Sequence, residues 1–274
     1  MKDKELHKTQ QQIAELQKTI SNLNAKLKES ESLKSNFISN IMNEVYNPFS
    51  SIISMADNII SLNDDSLMNA RPMAEVIYRE AAQLDFHLKN IFTAAIIEAG
   101  LENLEVSITN VEEIHNSVVN EFQLDIKNKN IEIISNIEEI VFNTDVKKLN
   151  LILLNLLSNA IKNSPDGGEI VMSYTFVDDK LTFSISDNGK GISQEEMEII
   201  FDRFKRVDTT INSVNGGSGL GLSVVKALLE MLDGDIEITN AGGTMVQLIL
   251  PNQVITDDND SFDDDAILFD EEIF

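Results

Sequence analysis

The sequence predicts an α+β protein in which a helical N-terminal region precedes a domain of mixed strands and helices. Two observations support this prediction. Residues 1–34 contain neither Pro nor Gly, and their apolar side chains recur at spacings of three and four, the period of a coiled-coil seam: Ile13, Leu16, Ile20, Leu23 and Leu27. After Gly100 the chain changes to short runs rich in Ile, Val, Phe and Thr. A coiled coil that joins two copies is the favoured interpretation of the first segment, and a single solvated helix is the alternative.

A helical hairpin is expected between the coiled coil and Gly100. Its first helix includes "IMNEVYNPFSSIISMADNII", where Pro48 should kink or weaken the helix because proline lacks a backbone donor. "SLNDDSLMNARP" predicts a turn, and a second helix follows with the seam Ile77, Ala81, Leu84, Leu88, Ile91 and Ala95. Because two helices bury little by themselves, two hairpins are expected to form a dimeric four-helix bundle.

The second half of the chain is predicted to be a two-layer α/β sandwich. The β-like runs are "LEVSI", "IEIIS", "EIVFN", "EIVMSYTFV", "KLTFSIS", "DIEIT" and "TMVQLIL". Helical stretches are expected at about 110–128, 145–163, 193–202 and 219–232. Since strands and helices do not alternate in a regular βαβ rhythm, an α+β domain is favoured over a parallel sheet.

The predicted helix 145–163 carries polar residues along one edge. Asn155, Asn159 and Lys162 fall at i, i+4 and i+7. A carboxamide oxygen can ligate Mg²⁺, and a lysine beside it can meet a phosphate. Taken alone, these three residues are better explained by a solvated polar helix face.

Two glycine-containing segments add to this pattern. In "DNGKGI", Asp187 could accept a hydrogen bond from an exocyclic amine, and Gly189 and Gly191 allow a close backbone approach. The alternative is an ordinary hairpin turn. In "NGGSGLGLSVVKALLEML", a glycine-rich loop leads into a helix, whose free N–H groups favour a phosphate. A linker or helix cap is the alternative there, and neither a P-loop nor a Rossmann spacing is present.

Taken together, these segments resemble the catalytic ATP-binding domain of sensor histidine kinases, a fold shared with gyrase, the Hsp90 chaperones and MutL. The resemblance rests on "NLLSNAIKNS", "DNGKGI", "IFDRFKRVD", "GGSGLGL" and "GGTMVQLILP", in this order, and covers about 102–251. The preceding hairpin resembles the family's dimerisation and phosphotransfer domain.

The resemblance implies Mg-ATP binding and assigns a role to each matching residue. Asn159 would be the Mg²⁺ ligand with Asn155 beside it, Lys162 and Arg206 would contact phosphates, and Asp187 would bind the adenine amine. The glycines that would shape the pocket are Gly189, Gly191, Gly217, Gly219 and Gly221. Phe201 and Phe204 would anchor a lid over roughly 203–216, and Asn163 replaces the aromatic residue that the family often has near the nucleotide.

The chain departs from the family at the phosphoacceptor. The usual pattern is His-Glu-x-x-Thr/Asn-Pro, whereas this chain has Asn43, Glu44, Asn47 and Pro48, with Tyr46 in place of the usual Arg. An amide nitrogen's lone pair is delocalised into its carbonyl, so Asn43 is not a useful nucleophile, unlike imidazole. Glu44 is then a general base without a nucleophile. His87 is expected near the same height of the hairpin, where a structural histidine at the bundle surface is favoured over a substitute acceptor.

Three functions follow as hypotheses. The first is a dimeric histidine-kinase core of a two-component pathway, whose autophosphorylation is blocked at Asn43 by nature or by engineering. The second is a pseudokinase in which ATP sets the conformation presented to a response-regulator receiver domain. The third is a phosphatase in which Asn47 orients water towards a partner's phosphoaspartate.

Composition limits the partners and the compartment. The formal charge of −25 is a poor match for nucleic acid, and the chain has no Cys and three His, which disfavours thiolate and histidine metal sites. With neither an apolar span nor a signal peptide in the sequence, we expect a cytoplasmic protein or the cytosolic part of a membrane sensor.

The expected domains are a coiled-coil signalling helix (1–34), a helical hairpin (35–101), an ATP-binding domain (102–253) and an acidic tail (254–274). The last 18 residues hold nine acids and no base, which favours a disordered tail.

Overall fold

The computed structural model describes residues 17–24, 28, 41–43, 45–62, 68–197, 199–201, 220–240 and 242–254. Residues 17–24 are helical, and the seam residues Ile20 and Leu23 are 55% and 60% exposed in the single chain. The other three coiled-coil positions, the lid 203–216 and the tail after 254 lie outside the described residues, so those predictions stay predictions.

Two long helices are described between residues 45 and 100. Helix α1 covers residues 45–60 and passes through Pro48 without a break in the helical assignment, and residues 41–43 are also helical. Helix α2 is Ala70–Ala99, with Pro72 in its first turn, where a missing N–H costs little. Gly100 ends α2 as predicted: its φ of +67° is the left-handed cap conformation, and its N–H donates to the last-turn carbonyls.

The second half is an α+β domain with the element order that the sequence predicts. Its elements are β1 (Val106–Asn110), α3 (Val111–Glu121), α4 (Gln123–Asn128), β2 (Glu132–Asn136), β3 (Val141–Asp145), α5 (Val146–Asn163), β4 (Glu169–Val177), β5 (Lys180–Asp187), α6 (Gln194–Met197), α7 (Gly221–Met231), β6 (Asp235–Asn240) and β7 (Thr244–Pro251). The helix predicted at 193–202 is shorter than expected. Its described part, α6, has four residues, and residues 199–201 form a turn.

The sheet order places β5 at the centre. The main sheet runs β2-β4-β5-β7-β6, in which β2 and β4 are parallel and the other neighbours antiparallel, while β1 and β3 form a separate antiparallel pair. Alternate residues of β5 are buried, ending with Asp187, and this face packs on α5. Helices α3 and α7 flank α5, so helices form one layer and the sheet forms the other.

Helix α5 is the centre of the core, and a buried ion cluster fixes its start. Asp145 caps it by accepting the Lys148 N–H at 3.1 Å, and also accepts the Glu105 N–H at 2.9 Å. The Lys148 ammonium lies 2.8 Å from both Asp145 Oδ2 and Glu102 Oε1. The connection between α2 and β1 is therefore tied to the helix that carries the candidate site.

Helix α2 also contacts the α+β domain directly. Its buried residues are Phe86, His87 and Asn90, and the Phe86 ring meets Phe122 edge-on at a centroid distance of 6.0 Å. His87 is 7% exposed, so the prediction of a histidine at the bundle surface is wrong. The reason is that the α+β domain covers this side of α2.

Candidate nucleotide site

The polar edge of α5 is present as predicted, but its three residues have different surroundings. Asn155 is 3% exposed, whereas Asn159 and Lys162 are half-buried. The Asn155 amide donates to Leu151 O and to Asn90 Oδ1, both at 2.8 Å. The N-terminal residue of α7 is Gly221, and a Cβ there would lie 2.7 Å from Asn155 Oδ1. The edge therefore faces both α2 and the start of α7.

Asp187 ends β5 as a buried carboxylate with one oxygen held by backbone donors. Oδ1 accepts the N–H of Gly189 at 2.8 Å and that of Thr244 at 3.3 Å. Among the described residues, no donor reaches Oδ2. The carboxylate is thus fixed in orientation and keeps an acceptor oxygen for a ligand donor such as an exocyclic amine.

Close backbone packing surrounds Asp187. A Cβ at Gly189 would lie 2.4 Å from Asn163 O, and Gly191 has a φ of +73°, so both predicted glycines are required by the local geometry. A Cβ at Gly243 would lie 1.9 Å from Asp187 O. Gly243 and Thr244 are site residues that the sequence prediction missed, and the paired glycine before the last strand is the signal that indicates them.

The N-terminus of α7 completes the described part of the site. Leu220 is the N-cap residue of α7, and within the described part of the chain no side chain caps this helix. The Lys226 ammonium lies 5.6 Å from the centre of the Phe201 ring. Gly217, Gly219, Arg206 and Phe204 lie outside the described residues.

The hairpin residues that resemble the family's phosphoacceptor motif are exposed where the structure describes them. Asn43 and Asn47 are both exposed and lie one helical turn apart, and Tyr46 is 70% exposed. Glu44 lies outside the described residues. The Asn43 carboxamide is accessible to a partner or to a nucleotide-bearing domain, but it offers no nucleophilic lone pair.

A cavity of about 230 Å³ separates α2 from α4 and α5, and both His87 and Lys162 line it. Burial and, to a smaller extent, the positive charge of Lys162 together lower the pKa of His87 to about 4. Burial raises the pKa of Asp125 in this cavity, opposed by the charges of Arg79, Lys162 and Lys129. His87 is therefore neutral near pH 7.

Comparison with known proteins agrees with this geometry. Residues 144–254 match the family described as histidine kinase-, DNA gyrase B-, and HSP90-like ATPase. Hybrid signal transduction histidine kinase D of Dictyostelium discoideum is 31% identical over 242 residues, which are 85% of this chain and 16% of that protein. The chain spans 16% to 30% of the length of three curated relatives.

Two solved structures show the same fold. Full-length ShkA, crystallised with AMPPNP, has a TM-score of 0.55 at 19% identity and matches 84% of this chain and 46% of its own. Histidine kinase ThkA, solved with the response regulator TrrA, has a TM-score of 0.52 at 21% identity and matches 82% of this chain and 64% of its own. With this fold, the family match over residues 144–254 defines a GHKL-class ATP-binding domain. The chain closely matches sensor histidine kinases and corresponds to the catalytic core of a histidine kinase.

No helix in the described ranges is both long and apolar enough to cross a membrane. The same part of the chain contains no group of three or more His, Asp or Glu side chains able to hold a metal ion by themselves.

Proposed function

We propose that this chain binds Mg-ATP between α5, the end of β5 and the start of α7, and that its autophosphorylation is blocked at Asn43. The observation that carries the binding proposal is the geometry of Asp187. Two backbone N–H groups hold one of its oxygens, and the other is left for the adenine amine.

The remaining site residues take the roles that the family pattern implies. Asn159 holds Mg²⁺ through its carboxamide oxygen, and Lys162 and Arg206 bind phosphate oxygens. Gly217, Gly219 and Gly221 keep the loop before α7 close to the phosphates. Bound Mg-ATP would supply a transferable phosphoryl group, and the amide nitrogen of Asn43 has no available lone pair with which to attack it.

The proposed partners are a second copy of this chain and a response-regulator receiver domain. The fold is that of ThkA, which was solved with such a regulator. The net charge of −25 argues against nucleic acid as a partner. A cytoplasmic position, with any membrane attachment made through a segment outside this chain, completes the proposal.

A second candidate function is removal of phosphate from the receiver domain. The observation that favours it is the exposure of Asn47, one turn from Asn43, on the surface that a partner would approach. Asn47 would orient the attacking water. The test is dephosphorylation of a phosphorylated receiver domain by the unmodified chain and by Asn47→Ala. Loss of the activity in the variant would support this function, and equal rates for the two proteins would exclude it.

Mg-ATP binding is tested by calorimetry on the full chain. We expect saturable binding that Asp187→Ala weakens by roughly tenfold or more, since a hydrogen bond to a charged group is lost. Asp235→Ala, an exposed carboxylate at the start of β6, should bind like the unmodified chain. Failure of the unmodified chain to bind Mg-ATP would refute the proposal.

The block at Asn43 is tested with labelled Mg-ATP. The unmodified chain should take up no acid-labile label, whereas Asn43→His should become labelled because imidazole restores a nucleophile. Label on the unmodified chain would show that another residue accepts phosphate. Label in neither protein would count against a latent kinase and favour the pseudokinase.

A further inference from the structure

Two buried asparagines meet where helix α2 of the hairpin contacts helix α5 of the ATP-binding domain. Asn90 is 4% exposed and Asn155 is 3% exposed. The Asn155 Nδ2 group donates to Asn90 Oδ1 over 2.8 Å. A hydrogen bond between two buried carboxamides on different parts of a fold is a specific contact, because each amide would be costly to bury alone.

The orientation of both amides follows from the helices that carry them. Asn90 Nδ2 donates to Phe86 O, four residues earlier on α2, so Asn90 Oδ1 must face α5. Asn155 Nδ2 donates to Leu151 O, four residues earlier on α5, as well as to Asn90. Exchanging O and N in either amide would set two oxygens against each other, so the assignment is unambiguous.

The remaining polar atom of the Asn155 side chain is its oxygen, Oδ1. With both amide hydrogens donated, its Oδ1 points towards the start of α7, where the absence of a side chain at Gly221 makes room for it. Oδ1 thus faces the first residue of α7, and Asn155 lies one helical turn before Asn159 on α5. This is the atom of Asn155 that can accept a hydrogen bond from a metal-bound water or from a ligand.

We propose that Asn90 is a positioning residue of the nucleotide site, supplied by the hairpin. While α2 is docked, Asn90 holds the Asn155 carboxamide oxygen towards α7, where it supports the hydrated Mg²⁺ of the bound nucleotide. This inference rests on the proposed Mg-ATP binding. By linkage, the docked hairpin strengthens nucleotide binding, and the nucleotide strengthens docking by the same factor.

The test compares Asn90→Leu with Lys89→Leu, an exposed residue on the same turn of α2 that serves as the matched control. Affinity of the full chain is measured for Mg-ATP and for ATP in EDTA. We expect Asn90→Leu to weaken Mg-ATP binding about three- to tenfold, the range for one hydrogen bond. ATP without Mg²⁺ should bind almost equally to both variants.

A double-mutant cycle separates positioning from general damage. If Asn90 acts through Asn155, Asn90→Leu should have no further effect on Mg-ATP affinity in an Asn155→Ala background. Thermal unfolding reports whether each variant is folded. If Asn90→Leu does not fold, Asn90→Ser replaces it in the test. Its side chain is too short to reach Asn155 and less disruptive, and it should weaken Mg-ATP binding by the same factor.

Several results would overturn the inference while leaving the proposed function intact. These are unchanged or tighter Mg-ATP binding by folded Asn90→Leu and Asn90→Ser, an equal loss in Lys89→Leu, and an equal loss with and without Mg²⁺. A full additional loss in the Asn155→Ala background would also overturn it. No Mg-ATP binding by the unmodified chain would instead refute the proposed function, and the inference with it.

Discussion

At the scale of single residues, two adjacent lysines have opposite surroundings. The Lys148 side chain is 7% exposed and its ammonium bridges Asp145 and Glu102, each at 2.8 Å. The Lys147 side chain is 84% exposed and pairs with Glu105 at 2.8 Å. Burial raises the pKa of Asp145, but hydrogen bonds from the Lys148 side chain and from backbone N–H groups outweigh it, and the net pKa lies below the ordinary value.

We expect Lys148→Met to lower the free energy of unfolding by on the order of 3 kcal/mol, because Asp145 would keep a buried charge without its partner. Lys147→Met is the matched control and should change stability far less, since exposed ion pairs contribute little. Urea unfolding at pH 7 measures both. Equal effects of the two substitutions would contradict the structural role given to Lys148.

The lowered pKa of Asp145 also has a pH consequence. A carboxylate whose pKa is depressed by folding contributes stability above its unfolded value, here 3.8, and loses it as the pH falls through the folded value. Below pH 4 the free energy of unfolding of the unmodified chain should therefore fall as the pH is lowered. In Lys148→Met this fall should be smaller, and urea unfolding at several acidic pH values measures it.

At the scale of elements, the contact of α2 with the ATP-binding domain is sensitive to protonation. His87 has a pKa lowered to about 4 by burial and by Lys162. The folded state therefore disfavours the charged imidazole. Stability from neutral His87 is complete above pH 6.5 and is lost as the pH falls towards the folded pKa.

We expect the free energy of unfolding to fall by about 2 kcal/mol between pH 7 and pH 5 on account of His87. In His87→Gln this share of the pH dependence should disappear. Urea unfolding of both proteins at the two pH values measures it. Burial also lowers the pKa of His115, so a smaller dependence of the same sign should remain. Identical pH profiles for the two proteins would show that His87 is not held neutral by the fold.

At the scale of the whole molecule, one apolar stripe is left uncovered by the single chain. It follows the first helix at spacings of four, three, four and seven residues, and its side chains are 49% to 80% exposed: Met42, Tyr46, Phe49, Ile53 and Ile60. This spacing is that of a helix seam that packs against other helices. A second copy of the hairpin is the partner that would cover it.

Phe49→Asp combined with Ile53→Asp should therefore convert a dimer to a monomer, because two charges would enter the apolar seam. Sedimentation velocity should give the mass of two chains for the unmodified protein and of one chain for the variant. Ser54→Asp combined with Asn58→Asp adds the same charge at exposed positions off the stripe and should leave the dimer intact. A monomeric unmodified chain would contradict the predicted four-helix bundle.

The sequence by itself determined the elements and their class. Strands β4 and β5 begin at the predicted residues, and α5 and α7 begin and end within two residues of the predicted bounds. The signals that predict these elements are local. Asp145 and Gly100 set the start and the end of the helices beside them, and the β-branched runs favour strands within their own segments. The positions of Asp187 and of the glycines that follow it were predictable for the same reason, because Asp187 ends a strand and the glycines lie in the next few residues.

Which of these elements meet depends on long-range packing, which local sequence patterns do not predict. The pairing of Asn90 with Asn155 joins residues 65 positions apart, and the burial of His87 depends on the α+β domain covering α2. The approach of Gly243 to Asp187 and the strand order β2-β4-β5-β7-β6 are likewise long-range. Helical and strand periods record which face of an element is apolar, but not which partner buries it. That choice depends on how all the faces pack together, and here it sets the surroundings of Asn155.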